Sequence, residues 1–256
     1  MYQAIDTSLD EHGVYTLTLN RPEKHNALGD IMMSELQHAV QQMNENPEIR
    51  LVILTATGKS FCSGGDLNSF KDAIVENREQ RMERSRVLGG LYRSLYSLSK
   101  PLIGSINGPA FGAGVGLISV CDITFALPHF KFGFSETRLG LVPATFFPYI
   151  VRRIGAVNAR RVMLSGATFD GEEAQRIGLI DQICANEQSL KNALATVIDG
   201  HLAAASDAMS MTKKMIETVA DRNLDDAIED VAQISADSWE TREACARISQ
   251  FFKKAK

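Results

Sequence analysis

The sequence predicts an α/β fold, and three observations support this prediction. Continuous apolar runs of strand length occur at residues 51–54, 102–106 and 123–126. Such runs are typical of strands that are buried on both faces of a sheet. Stretches with helical spacing of apolar residues separate the runs, and past about residue 185 the strand pattern disappears.

The elements follow in order from the N-terminus. The first twenty residues predict two short strands, the second at residues 14–19, where polar and apolar positions alternate. After the break at Pro22, apolar residues from Met32 to Met43 recur at helical spacing. That helix should stop before Pro47, because the residue ahead of a proline disfavours helical geometry.

Helical stretches are also predicted between the buried runs and throughout the C-terminal part of the chain. Those between the runs lie around residues 67–98 and 112–120. Those in the C-terminal part lie at residues 190–205, 208–220, 224–236 and 242–252. We therefore expect an α/β core over residues 1–200 and a helical region over residues 201–256.

Composition excludes several classes of protein. The 256 residues are 45% apolar with a mean hydropathy of −0.09, as expected for a globular chain with a sizeable core. The N-terminus lacks the basic and apolar regions of a signal peptide, and no apolar stretch approaches the ~18 residues that span a bilayer. The four cysteines are scattered, which predicts a reducing, cytoplasmic location and no metal site.

The charge pattern argues against nucleic-acid binding. Net charge is −4, the isoelectric point is about 5.8, and the basic residues are dispersed. Four arginines do cluster over residues 78–86, but glutamates are interleaved with them. On one helix this pattern predicts a solvated, salt-bridged face.

Three segments could form a catalytic site. Residues 61–67 (FCSGGDL) and 107–117 (NGPAFGAGVGL) are rich in small residues, so their main-chain N–H groups can approach a ligand closely. Taken alone, the first also fits an ordinary strand-to-helix turn. The second also fits tight helix packing on a sheet, but its spacing does not fit a dinucleotide fingerprint.

The third segment, residues 132–137 (FGFSET), places Glu136 just after apolar aromatic residues. Desolvation of such a carboxylate favours its neutral form, which suits proton transfer near neutral pH. Taken alone, the segment also fits a helix-start glutamate behind a serine cap. Two loops with outward amides and one half-buried carboxylate are together what enolate chemistry requires.

The whole chain resembles the crotonase (enoyl-CoA hydratase/isomerase) superfamily. The resemblance rests on five motifs in order, at residues 19–28 (LNRPEKHNAL), 61–67, 107–114, 121–123 and 132–136. It implies a spiral of ββα units followed by a C-terminal helical trimerisation region, assembled as a homotrimer or as a hexamer of two trimers. It also implies that an acyl-CoA thioester is the substrate, with coenzyme A part of that substrate and no separate cofactor.

The resemblance implies roles for individual residues. The N–H groups of Gly65 and Ala113 would bind the thioester oxygen, and Glu136 would exchange a proton with Cα. Lys24 and Ala27 would hold the adenosine end of coenzyme A. Further substrate-binding positions are Ser63, Asp66, Leu67, Gly112 and Gly116 in the small-residue segments, with Phe251 and Lys254 of a neighbouring subunit at the nucleotide.

One departure from the family pattern affects the expected reaction. Dual-carboxylate hydratases carry a glutamate where this chain has Gly116, twenty residues before Glu136. With one carboxylate, the chain could hydrate a 2-enoyl-CoA, with main-chain groups such as the Ala144 N–H holding the water. It could also be a Δ3-Δ2-enoyl-CoA isomerase, in which Glu136 alone moves a proton between C2 and C4, and the chemistry by itself slightly favours this alternative.

Residues 135–149 and 114–117 resemble bacterial hydratases of branched glutaconyl-CoA substrates such as methylglutaconyl-CoA, which favours the hydratase. A non-enzymatic acyl-CoA-binding or RNA-associated member of the superfamily is the third reading. The retained Glu136 argues against a dead site, and the acidic net charge argues against RNA.

Overall fold

The computed structural model describes residues 2–220 and 222–254, and these form two β-sheets surrounded by helices. The nine strands of these described residues are β1 (Ile5–Leu9), β2 (Val14–Leu19), β3 (Leu51–Ala56), β4 (Leu102–Ser105), β5 (Ala110–Phe111), β6 (Ile123–Ala126), β7 (Lys131–Gly133), β8 (Thr168–Asp170) and β9 (Gln182–Ile183). The α-helices in this part of the chain are α1 (Asp30–Glu45), α2 (Leu67–Val75), α3 (Arg78–Tyr96), α4 (Ala113–Ser119), α5 (Phe147–Met163), α6 (Gly171–Arg176), α7 (Glu187–Ala203), α8 (Ser206–Val219), α9 (Leu224–Glu240) and α10 (Arg242–Lys254).

The larger sheet has six strands in the order β1-β2-β3-β4-β6-β9. Only β1 and β2 pair antiparallel, and every other neighbouring pair in this sheet is parallel. The smaller sheet has the order β5-β7-β8, with β5 parallel to β7 and β7 antiparallel to β8. The predicted α/β class is therefore confirmed.

Strand β3 shows why the sequence carries continuous apolar runs. Its alternate residues point to opposite faces of the sheet. Val52 and Leu54 join the main core under α1 and α3, whereas Leu51 and Ile53 join a second core that α7 covers. Because both faces are buried, residues 51–54 are all apolar, and the polar Thr55 stands where the strand is only partly buried.

The predicted helices are present with shifted bounds, and α5 and α6 are further helices that the sequence did not predict. The stretch expected at residues 67–98 is two helices, because Asn77 caps α3 through a reciprocal pair of hydrogen bonds with Gln80. Helix α1 ends at Glu45, ahead of Pro47 as expected. Residue 200, the predicted end of the core, lies inside α7, and the next helix begins at Ser206.

The arginine cluster lies on α3 and forms ion pairs, as predicted. Arg84 pairs with Glu76, and Arg86 pairs with Glu79 at 3.2 Å and with Glu83 at 3.0 Å. Two of the four arginines are thus paired with carboxylates, whereas Arg81 donates to the carbonyls of Ala73 and Ile74. No helix of the described residues combines the length and the apolar character that crossing a membrane requires.

Candidate active site

Glu136 is half-buried at the start of a short 3₁₀ helix, residues Glu136–Leu139, that follows β7. Its Oε2 atom is buried and has no hydrogen-bond partner among the described residues. Burial raises the pKa of the Glu136 carboxyl, and a hydrogen bond from its own backbone N–H lowers the pKa in part. A carboxyl group with an unsatisfied buried oxygen and a raised pKa is suited to hold and release a proton.

The carboxylate lies directly against Gly112, the residue that precedes α4. A Cβ atom at this position would lie 2.3 Å from Glu136 Oε1. Gly112 also has φ 49° and ψ −117°, a backbone conformation that side-chain-bearing residues rarely adopt. Glycine is therefore required here both by the backbone and by the neighbouring carboxylate.

The two small-residue segments contact each other, as enolate chemistry would need. Cys62 pairs with Ala110 in a parallel bridge, and the Phe111 N–H donates to Cys62 O at 2.9 Å. A Cβ atom on Gly64 would lie 3.2 Å from Phe111 O and 3.9 Å from the Ala113 nitrogen. Segments far apart in the sequence thus meet beside Glu136.

The N–H groups of Gly65 and Ala113 are both available to a ligand. The Leu28 N–H donates to Gly64 O at 2.8 Å, and the Asp66 N–H donates to Leu28 O at 2.9 Å. These bonds turn the Gly65 N–H away from Leu28, because it points opposite to the Gly64 carbonyl in the same peptide. Ala113 is the first residue of α4, where N–H groups have no partner within the helix.

The place of a side chain at Gly116 is filled by two aromatic residues. A Cβ atom there would lie 2.7 Å from Phe146 Cβ and 2.9 Å from Tyr92 Cε1. Both rings are buried, and they contact each other edge to face with centroids 5.8 Å apart. This packing leaves no room for the second carboxylate of a dual-carboxylate hydratase.

Asn26 organises the loop that carries Lys24 and Ala27. It is completely buried, accepts the Arg21 N–H at 2.7 Å, and donates to the carbonyls of Thr57 and Ser60, each at 2.9 Å. The loop is thereby fixed against the chain that leads to the Gly65 turn. Lys24 is exposed on its outside, whereas Ala27 is buried.

The remaining residues of the Gly65 turn differ in their surroundings. The Asp66 carboxylate accepts the Asn68 N–H at 2.9 Å and pairs with Arg21 at 3.3 Å, so it supports the turn from within the protein. Ser63 and Leu67 are exposed. The Phe70 ring lies over the turn, with Cε2 3.0 Å from where a Cβ on Gly65 would be.

Ala144 and the C-terminal residues lie in other parts of the fold. The Ala144 N–H donates to Val142 O at 2.8 Å, so holding a water would require that bond to open. Phe251 lies on α10 with 69% of its surface exposed. Lys254 ends α10, and its side chain lies outside the described part of the structure.

Sequence reasoning did not single out Asn26, Phe70, Tyr92 or Phe146. Asn26 stands within a quoted motif, and its left-handed backbone with φ 53° is one that asparagine tolerates better than most residues. Tyr92 and Phe146 are ordinary apolar positions of a helix and a turn. Their contacts depend on how distant segments pack, which spacing along the chain does not reveal.

Comparison with known proteins identifies the family and several relatives of this chain. Residues 10–256 match a family model described as enoyl-CoA hydratase/isomerase. A putative enoyl-CoA hydratase of Thermus thermophilus is 29% identical over 242 residues, covering 94% of this chain and 95% of that protein. A peroxisomal Delta(3,5)-Delta(2,4)-dienoyl-CoA isomerase of Arabidopsis thaliana is 29% identical over 80% of this chain and 78% of its own length.

The fold also matches that of a solved structure. Pseudomonas aeruginosa AtuE has a TM-score of 0.94 and 30% identity, with 98% of this chain and 97% of that chain covered. The fold described above is therefore shared with a solved structure over nearly the whole of both chains.

Proposed function

The chain belongs to the enoyl-CoA hydratase/isomerase family, the crotonase superfamily that its motifs resemble, and we propose that it hydrates a 2-enoyl-CoA thioester. The single observation that carries the proposal is the Glu136 carboxyl. Its buried Oε2 has no partner among the described residues, and it lies against Gly112 of the loop that presents the Ala113 N–H. An acid/base group is thus adjacent to a main-chain donor.

In the proposed reaction, water adds across the C2–C3 double bond. The water oxygen bonds to Cβ, and the π electrons move toward the thioester, whose oxygen becomes negatively charged. The N–H groups of Gly65 and Ala113 stabilise that oxygen. Glu136 delivers its proton to Cα, and the proton that the water loses restores Glu136, so that the atoms and charges balance.

A Δ3-Δ2-enoyl-CoA isomerase is the second candidate, and the filled space at Gly116 favours it. Phe146 and Tyr92 exclude a second carboxylate, and an isomerase needs only one group to move a proton from C2 to C4. The isomerase name of the Arabidopsis relative is consistent with such chemistry in the family. Both candidates use the same oxyanion site and the same glutamate.

We further propose a branched glutaconyl-CoA-like acyl chain, on the resemblance of residues 114–117 and 135–149. Coenzyme A would extend toward Lys24 and Ala27, and no separate cofactor would be needed. A homotrimer or hexamer would cover exposed apolar side chains of the C-terminal helices, among them Trp239, at 68% exposure, and Phe251. Burying apolar surface of this kind stabilises protein association. The cytoplasmic location stays a prediction.

The hydratase and the isomerase can be distinguished by incubating the purified protein with a 2-enoyl-CoA and, in a separate reaction, with a 3-enoyl-CoA. Hydration removes the absorbance of the conjugated thioester and adds one water to the product mass. Isomerisation of the 3-enoyl substrate creates that absorbance and leaves the mass unchanged. A protein that changes neither substrate would support a non-enzymatic acyl-CoA-binding role and refute the proposal.

A further inference from the structure

We propose that Tyr92 is a positioning residue for the oxyanion site, because its hydroxyl fixes the main chain at Ala113. The inference rests on the proposed function, since it assumes that the Ala113 N–H binds the thioester oxygen. Tyr92 is placed to act through the backbone and not on the reacting atoms: its hydroxyl is bonded to a carbonyl within the protein.

The hydrogen bond joins α3 to the first residue of α4. The Tyr92 hydroxyl donates to Ala113 O at 2.8 Å, and the bond is buried. The carbonyl can only accept, so the direction of this bond is fixed. A buried hydroxyl that lost this acceptor would have no water to replace it, so the bond is expensive to break.

The peptide between Gly112 and Ala113 is held on both sides. On its N-terminal side, the Gly112 N–H donates to Gly133 O at 2.9 Å. On its C-terminal side, the Ala113 carbonyl accepts from Tyr92. The Ala113 N–H belongs to the peptide between these two anchors, so both anchors limit its direction.

Helix α4 needs such an anchor because it is short. It has seven residues, and short helices derive little stability from their own hydrogen bonds. Gly112 and Gly114 flank Ala113 and add backbone freedom. Within the helix, the Gly116 N–H donates to Gly112 O at 3.1 Å and holds the peptide that carries the Ala113 N–H. The Tyr92 hydroxyl adds an anchor from outside the helix, on the next carbonyl.

The Tyr92 ring is itself immobilised. It is fully buried, and its Cε1 lies against Gly116, while Phe146 contacts the ring edge to face. Burial raises the pKa of the Tyr92 hydroxyl well above its ordinary value, and the neighbouring Cys62 and Glu136 raise it further. The hydroxyl therefore remains a donor throughout the neutral range. The Tyr92 ring also occupies the space that a side chain at Gly116 would need. Tyr92 therefore both excludes a second carboxylate and supports the Ala113 N–H.

The test is Tyr92→Phe, which keeps the ring and removes the donor. We expect kcat to fall about tenfold, as for loss of one buried hydrogen bond, with KM changed less than about twofold. Removing an oxyanion donor outright costs ~10²–10³ in kcat, so a smaller effect is expected from misdirecting one. The matched control is Tyr96→Phe, one turn later on the same helix, where kcat should not change.

The decisive readout is the infrared C=O stretch of a bound saturated acyl-CoA labelled with ¹³C at the thioester carbonyl. Wild type and Tyr96→Phe should lower this frequency relative to the free thioester, and Tyr92→Phe should lose part of the lowering. A purely structural role would reduce the melting temperature and leave the frequency of the bound carbonyl unchanged. That result, or unchanged kcat in Tyr92→Phe, would overturn the inference.

The same experiment separates this inference from the proposed function. If wild type binds the labelled thioester without lowering its C=O frequency, the oxyanion site itself is wrong. If wild type lowers the frequency and Tyr92→Phe lowers it equally, only the role of Tyr92 fails.

Discussion

Gly116→Ala tests the packing that replaces the second carboxylate. The added Cβ would lie 2.7 Å from Phe146 Cβ, 2.8 Å from Phe146 Cγ and 2.9 Å from Tyr92 Cε1. Carbon atoms in contact normally lie ~3.5–4.0 Å apart, so both rings would have to move. Both are buried in the main core, where little movement is possible.

The expected magnitude combines two opposing terms. Overpacking a filled core costs about 1–3 kcal/mol, and three contacts this short put Gly116→Ala near the upper value. Replacing glycine by alanine within a helix returns about 1 kcal/mol. The free energy of unfolding should therefore fall by about 2 kcal/mol. Gly116→Glu carries the same Cβ, so it should be destabilised at least as much and should hydrate a 2-enoyl-CoA no faster than wild type.

The assay is urea denaturation followed by far-UV circular dichroism at a fixed protein concentration. Gly200→Ala is the matched control, because Gly200 is also helical and its Cβ would meet no atom within 4 Å. That control should be about 1 kcal/mol more stable than wild type. If Gly116→Ala were stabilised as the control is, the space at Gly116 would be open and the steric argument would be refuted.

Three further predictions concern the acid/base, its glycine neighbour and the C-terminal tail. Glu136→Gln should lower turnover by ~10²–10⁴. Burial raises the pKa of Glu136 above the ordinary 4.5, so its ionisation costs stability as pH rises past that value. The glutamine variant should thus melt higher than wild type near neutral pH and equally at acidic pH. An active variant, or one that melts lower at neutral pH, would contradict the assignment. Gly112→Ala should abolish turnover, whereas Gly155→Ala, also at positive φ but with open space around it, should only lower the melting temperature. Equal turnover in the two variants would show that the carboxylate does not need Gly112. Truncation after Ser249 should weaken calorimetric binding of coenzyme A thioesters but not of pantetheine thioesters. Equal weakening of both ligands would exclude a nucleotide contact by Phe251.

The sequence was sufficient to predict most of the larger elements, because their burial leaves a periodic pattern, but the 17-residue helix α5 was not predicted. The apolar runs of β3, β4 and β6 predicted a sheet that is covered on both faces. These strands do lie in one sheet with an apolar core on each face. Strands of two residues such as β5 are too short to show a period. The Asn77–Gln80 capping box marks the start of α3 in the sequence. The helical spacing on both sides of it predicted one continuous helix instead of two.

The site was only partly predictable, because some of its contacts join segments that are far apart in the sequence. The apolar flanks of Glu136 correctly predicted desolvation and a raised pKa. The alternative of a serine-capped helix start was half right, since Glu136 begins a short helix but the Ser135 side chain makes no capping bond. The closure of the space at Gly116 depends on Phe146 and Tyr92, which come from different segments. Such a contact is a property of tertiary packing and leaves no signature along the chain.

Both proposed reactions require proton transfer between Glu136 and the Cα atom of a coenzyme A thioester. The most direct measurement is turnover in D₂O, with the position of deuterium in the product determined by NMR. For a 2-enoyl-CoA, wild type should place one deuterium stereospecifically on Cα of a hydrated product, and Glu136→Gln should form that product at least ~10²-fold more slowly. Deuterium distributed over both Cα positions, or undiminished labelling by Glu136→Gln, would contradict the account.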